Sequence, residues 1–397
     1  MTAAGQTPVQ CAAGGSTLPD LEAAVREAIA AARAGLGEGD IDLALVFVSA
    51  AYGAGVRPVM DGLSDLIPAR ALLGTTAEGV LANGAEHERG PAVAVWLARL
   101  PGATIAPFAL QYGQTQDGGT FVGWPRELET GWPEAAAVLL LADPFSFPVD
   151  ALIDRLEEDH PGVPILGGMA SGGDAPGGNT LVVGSTCYDS GAVAVVIGGA
   201  VRIRPVVSQG CRPIGRPLVI TRAEANVIVE LGGRPALERL REIYGELADA
   251  DRELVRSSLH VGRAASEYRD AFRQGDFLVR TVVGADPESG VIAVGDLMRT
   301  GQTIQFHVRD AASADADLRR LLCDSRDKAA PAGAIVFTCN GRGTRLFDAP
   351  DHDARCVRDC LGPIPVAGFF AQGEIGPIGS RTFLHGFTAS IAVFETA

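Results

Sequence analysis

Strand-length apolar runs recur along this chain in one order, three times over. A first run (residues 45–48, 138–141 and 334–337) precedes a helix-length stretch, and a second run then ends in a shared nine-residue pattern at 71–79, 164–172 and 365–373. The common element is Gly-x-x-Ala-x-Gly: Gly74, Ala77 and Gly79, then Gly167, Ala170 and Gly172, then Gly368, Ala371 and Gly373. A third apolar run closes each copy, at 92–95, 192–195 and 390–393. Such self-similarity governs the architecture and precedes any single-residue argument. The first unit, 40–98, predicts strand 42–49, helix 57–68, strand 70–73, the Gly loop and strand 91–98. The second, 135–199, predicts strand 137–142, helix 148–159, strand 163–166, the Gly loop and strands 180–184 and 191–197. The third, 333–395, predicts strand 334–338, helix 351–360, strand 364–367, the Gly loop and strands within 382–394. A strand–helix–strand unit followed closely by another strand implies a parallel crossover with an antiparallel neighbour. The fold class is therefore α/β, with mixed sheets built from three strand–helix–strand–strand units, helices covering the sheets, in two halves.

Between the second and third units the pattern changes. Strands are predicted at 201–207, 218–220 and 226–231, after which Gly232-Gly233-Arg234-Pro235 punctuates the chain. Proline suits the start of a helix, here 235–248, because its φ is already helical. Helical pattern continues over 250–273, strands follow at 277–283, 291–294 and 303–309, and Ser313 caps a helix reaching Lys328. Ahead of the first unit, residues 1–17 read as a mobile Gly/Ala-rich arm. An alanine-rich helix then runs from an Asp20 N-cap to about residue 34, with Gly35 as its stop. The expected domains are an arm and helix over 1–39, an N-terminal domain over 40–232 and a C-terminal domain over 233–397.

Charge narrows the partners. The chain has 33 basic and 48 acidic residues, a net −15, which argues against nucleic acid and anionic membranes. No 18-residue apolar stretch and no secretory signal is present, so a cytoplasmic protein is expected. Its seven cysteines are odd in number and scattered, and read as free, reduced thiols. Lys328 is the single lysine and follows no glycine-rich loop, so any anion clamp needs arginine or backbone N–H groups. Neither Ser171 nor Ser390 has the glycines of a nucleophile elbow, and the dinucleotide fingerprint fails at Leu346. These failures weigh against an enzyme.

Segments 233–237, 277–287, 368–377 and 384–390 together resemble the FIST family, with a FIST N domain over about 40–232 and a FIST C domain over about 233–380. The resemblance implies a bacterial sensory module that binds small ligands such as amino acids and serves signal transduction. Some relatives are fused to output domains, and some are haem-dependent nitric oxide sensors. This chain has no such fused output region, which implies a separate signalling partner.

The candidate ligand site is the pair of third-unit loops, because ligands of open α/β sheets bind beyond the carboxyl ends of strands. Arg342 offers a fork for a carboxylate and Glu374 a counter-charge for an ammonium group. Asn340 and Gln372 supply hydrogen bonds, Cys339 opens the first loop, and His385 joins as a ligand contact. The competing reading pairs Arg342 with Glu374 as a brace between two turns. Equivalent polar positions elsewhere (Ser49, Thr75, Thr76, Glu78, Asp143 and Ser171) read as structural turns. His352, Cys356 and Cys360 fall on one helical face at four-residue spacing. Without a second ligand pair they read as buried side chains, not a metal site, and a disulfide between the two cysteines is not expected. No cofactor is assigned. Two alternatives stand beside the amino-acid sensor: a haem sensor using His385, and a thiol enzyme with Cys339 as nucleophile.

Overall fold

The structure is a computed structural model that describes residues 7–115, 118–268, 271–324 and 329–397. Two compact units emerge, the first being 1–207, 318–384 and 388–397, and the second 208–317 and 385–387. All three repeats lie in the first unit, apart from residues 385–387 of the third. The predicted end of the helix at Lys328, the first residues of the arm and residues 269–270 lie outside the described residues.

Each repeat has the expected local topology. The lead strands Ile41–Ser49, Ala137–Ala142 and Pro331–Cys339 pair in parallel with the strands Ala69–Ala77, Ile165–Met169 and Val366–Ala371. They pair antiparallel with the return strands Val93–Arg99, Ala192–Gly199 and Thr388–Thr396. An outer strand then flanks each return strand: Gln10–Ser16, Ala103–Thr115 and Val201–Gln209.

The hairpins beyond the Gly loops depart from expectation. The hairpin after the first loop, Val80–Ala82 with Ala85–His87, joins the third repeat's sheet through Val366–Ala371. The hairpin after the second, Leu181–Val183 with Thr186–Tyr188, joins the first repeat's sheet through Ala69–Ala77. The third hairpin, Glu374–Ile378 with Arg381–His385, joins the second repeat's sheet through Ile165–Met169. Each repeat thus completes another in a closed cycle, and none has a whole sheet alone.

Alternation along the lead strands builds two layers of core, as a period of two requires. Leu43, Leu45 and Phe47 meet Leu139, Leu141, Ile335, Phe337 and Phe369 in a core shared by the three sheets. The intervening Ala44, Val46 and Val48 face helix Leu21–Leu36, while Leu140 faces helix Val149–Asp159 and Val336 faces helix His352–Leu361. The first glycine of the repeated pattern has a direct cause here. A Cβ at Gly74 would lie 2.6 Å from the Val46 carbonyl oxygen, and at Gly167 and Gly368 it would press onto the carbonyl oxygens of Leu140 and Val336. In all three repeats the parallel neighbour's backbone fills the space that any other residue needs.

Several expectations are corrected. Gln10–Ser16 is not a mobile arm: it pairs antiparallel with Val93–Arg99 from residue 10 to residue 16. Its glycine and alanine content serves close packing, since a Cβ at Gly14 would run into the Ala28 carbonyl oxygen of the covering helix. That helix does start at Asp20, whose carboxylate accepts from Ala23 N at 2.8 Å, but it ends at Gly37. Helical pattern over 250–273 gives way after Asp249–Ser258 to strand Leu259–Ala264. The cysteines are not all free, because Cys323 and Cys360 form a disulfide. Two helix ends bring their Cα atoms to 4.8 Å, inside the range a disulfide spans.

In the second unit, Cys211–Glu224, Thr303–Arg309, Leu259–Ala264, Phe277–Asp286, Val291–Val294 and Val227–Leu231 form an antiparallel sheet that closes on itself. Cys211–Glu224 pairs with both Thr303–Arg309 and Val227–Leu231, its register shifting between Ile214 and Leu218. Such irregularity lets one long strand turn the corner of a small barrel. Ile220, Ile228, Val261, Ile292 and Phe306 fill the interior.

Candidate functional site

The three Gly loops converge. Glu78 N donates to Ser171 Oγ at 2.9 Å, and that hydroxyl donates to the Phe370 carbonyl. Phe370 N bonds Gly79 O at 2.9 Å, Met169 N bonds Gly373 O at 2.8 Å, and Gln372 N bonds Met169 O at 3.1 Å. Residues of the first and second loops read from sequence as separate turns therefore belong to one assembly with the third. The cyclic exchange of hairpins is the cause, since it carries each loop to its neighbour.

At the centre lies a buried ion pair that sequence did not anticipate. Arg342 is completely buried, and its guanidinium meets Asp353 through Nε–Oδ2 and Nη2–Oδ1 bonds of 2.7 Å each. Thr338 Oγ1 donates to the same carboxylate at 2.6 Å, and Arg342 also stands 5.2 Å over the Phe347 ring. Burial alone would raise the Asp353 carboxyl, but the charge and hydrogen bonds of Arg342 outweigh it and hold it well below the usual carboxylate range. Arg342 is thus neither an open carboxylate clamp nor the partner of Glu374. Its remaining Nη1 is buried without a hydrogen-bond partner.

Glu374 is equally buried. Its Oε2 accepts from Thr388 N at 3.0 Å and Thr388 Oγ1 at 2.8 Å. Burial pushes its carboxyl up to about 8, against the lowering effects of Thr388, the adjacent Cys339 thiol and Arg342. Glu86 is raised by burial first and then by the Asp353 charge, although Ala354 N donates to it at 2.9 Å. One arginine and one aspartate thus stay charged at neutral pH while the two glutamic acids keep their protons, so these four groups leave no uncompensated charge among them.

Stability should respond to pH accordingly. Between the ordinary carboxyl value of 4.5 and about 8, the unfolded chain releases the Glu374 proton while the native state retains it. Stability therefore falls as pH rises through that window, by up to about 1.4 kcal/mol per pH unit. Glu374→Gln is expected to gain stability over the parent between about pH 5 and about pH 8 in urea unfolding. Parallel pH profiles for the two proteins would show that the native carboxyl is ionised.

The accessible groups lie above this layer. Arg345 holds Glu78 through both guanidinium nitrogens, Nη1 at 3.2 Å, and also reaches the Asn340 carbonyl at 2.8 Å. Glu88 accepts from Thr344 N and Oγ1 at 2.8 and 2.7 Å. Glu78, Glu88, Arg89, Asn340, Arg345 and Phe370 line a small depression, and Asn340 Oδ1 is buried there without a hydrogen-bond partner. Of the residues expected from sequence, Cys339, Asn340, Arg342 and Glu374 come together. Gln372 is exposed, and His385 is buried and belongs to the second unit. Glu86, Glu88 and Arg345 were missed. The acids sit on and beside the exchanged hairpin, and no local pattern ties them to a loop more than 250 residues away. Cys356 is buried with Sγ 3.8 Å from His352 Nε2, whereas Cys360 is taken by the disulfide.

The FIST N domain matches residues 42–234 and the FIST C domain residues 236–377. The chain belongs to the FIST family. An uncharacterized protein of Mycobacterium tuberculosis, Rv0628c, is 44% identical over 385 residues, covering 96% of this chain and 98% of its own. An uncharacterized protein of Mycobacterium bovis, Mb0898c, is 42% identical over 388 residues, covering 96% of this chain and 97% of its own. FIST domains are sensory and signal-transduction modules. The boundary between the two FIST domains falls beside Gly232 and Gly233, whereas the compact units divide at 207 and 317, because the third repeat folds with the first two. No helix among the described residues is long and apolar enough to cross a membrane.

Proposed function

We propose that this FIST protein is a cytoplasmic small-ligand sensor whose ligand, amino-acid-like in carrying both a carboxylate and an ammonium group, binds at the mouth over the three Gly loops. The observation that carries this reading is the Glu78–Arg345 pair, whose side chains are 35% and 48% exposed beside the unpartnered Asn340 Oδ1. A zwitterion replaces that pair group for group, its carboxylate on Arg345 and its ammonium on Glu78, which costs little because exposed pairs are weak. Residues Arg342, Asp353 and Glu374 form the rigid floor. Separating Glu78 from Arg345 loosens a link between the first and third repeats, and that change is what a separate signalling partner reads.

Arg345→Ala is expected to weaken binding of an amino acid found in a thermal-shift screen by tenfold or more, with the melting temperature of the unliganded protein nearly unchanged. A ligand at a hundredfold its Kd adds about 2.7 kcal/mol, well within reach of such a screen. Undiminished binding by the variant in calorimetry would rule out the mouth as the site. The thiol-enzyme alternative gains nothing from the geometry, since the group beside Cys339 is a carboxyl held protonated, which is no general base at neutral pH. No observation favours the haem alternative at His385.

A further inference from the structure

A second cleft, of about 810 Å³, opens elsewhere in the first unit and shares no lining residue with the Gly-loop mouth. Its volume suits a small ligand. Three segments form it: the hairpin of Ala103–Thr115 with Gly118–Val122, the connection through residues 124–132, and one face of helix Val149–Asp159. Two of the chain's three tryptophans, Trp124 and Trp132, stand in its wall together with Tyr112 and Phe121. These rings are half-buried and pack against the core beneath the sheet, so they form a fixed surface with one side open. Phe108 braces Trp124 at 5.5 Å between ring centroids, and His160 stacks on Trp132 at 4.1 Å.

The charge around this wall is one-sided. Glu129, Asp154, Glu158 and Asp159 line the cleft against a single guanidinium, Arg155. Arg155 is held by Asp159 at 2.6 Å and Asp154 by Arg381 at 2.9 Å. That leaves Glu129 and Glu158 without an ion-pair partner among the described residues. An anion meets repulsion here, and a neutral apolar ligand strips water from carboxylates without repaying them. A cation on an apolar body satisfies both features, attracted by the aromatic faces and by the two uncompensated carboxylates.

We propose that this cleft binds a small organic cation, a quaternary ammonium or a protonated amine carried on an apolar body. The proposal is independent of the Gly-loop reading and concerns different residues.

The test titrates the full chain with choline and with its neutral analogue, in which a tert-butyl group replaces the trimethylammonium. Calorimetry gives the affinity, and tryptophan fluorescence reports on Trp124 and Trp132 while Trp96 stays sealed in the core. Choline is expected to saturate, and the neutral analogue to bind roughly tenfold more weakly, the ratio that about 1.4 kcal/mol of cation–π and charge attraction provides. Trp132→Leu should abolish the response. Glu158→Gln, an exposed change on a helix face that leaves the fold alone, should weaken binding about threefold at low salt, less as salt rises. Equal affinity for the neutral analogue, or no saturation by choline at tens of millimolar, would overturn the assignment. Loss of choline binding in Glu78→Gln would overturn it too, by placing the cation on the carboxylate of the Gly-loop mouth, whereas unchanged binding in that variant supports the separate cleft.

Discussion

Arg342→Ala is expected to cost about 3–5 kcal/mol, a large share of the roughly 5–15 kcal/mol that a protein of ordinary stability possesses. The variant strands the Asp353 carboxylate in the interior, where Thr338 and His352 Nδ1, 2.9 Å away, do not replace two charge-assisted bonds of 2.7 Å. It also removes the group over Phe347 and opens space beneath the third Gly loop. Urea unfolding should show a large fall in midpoint, and expression at growth temperature should yield mostly insoluble chain. Arg342→Met combined with Asp353→Leu should recover much of the loss, since an apolar pair of similar volume often replaces a buried ion pair at little cost. A single variant that melts with the parent would mean that solvent reaches this pair. The same result explains why Arg342 is a poor probe of ligand binding: its removal damages the floor of the site before it tests the mouth.

Gly368→Ala should be nearly as damaging, at about 3 kcal/mol or more, because the new Cβ meets the Val336 carbonyl in the adjoining parallel strand and the backbone must move to admit it. Gly167→Ala should match it against Leu140. Gly74→Ala should be milder, since its Cβ would stand 2.6 Å from the Val46 oxygen, farther than a Cβ at Gly368 from the Val336 oxygen or one at Gly167 from the Leu140 oxygen. Thermal unfolding of the three variants orders them directly. If Gly368→Ala melts within a degree of the parent, the repeated glycine is not there for close approach of strands.

The glycine pattern was fully legible, but its meaning was not. The structure shows that the first glycine of each Gly-x-x-Ala-x-Gly copy admits the neighbouring parallel strand. The apolar run at residues 45–48 announced a strand, and the parallel partner was implied by the helix-length connection. By contrast, Gln10–Ser16 was hidden by its own composition: the Gly and Ala residues that let a helix sit directly on a strand look, in sequence, like a flexible tail. The site divides the same way. Arg342 and Glu374 could be picked out as unusual charges beside tight turns, but their partners could not. Asp353 is 11 residues beyond Arg342 and across a loop, while Glu78 and Glu88 arrive from the first repeat.

Residue order alone carries the threefold repeat, the succession of strand, helix, strand and return strand in each copy, the α/β class and the family. All of these depend on periodicity and spacing within some sixty residues, the range over which apolar patterning carries information. Folding in three dimensions settles the remainder: which sheet each hairpin completes, which carboxylate neutralises Arg342, and that Glu374 is sealed off with its proton retained. Those outcomes depend on groups brought together from separate repeats, and on water being removed from between them. Exclusion of water is what turns a charged side chain from a ligand clamp into a structural bond, and no local pattern records it.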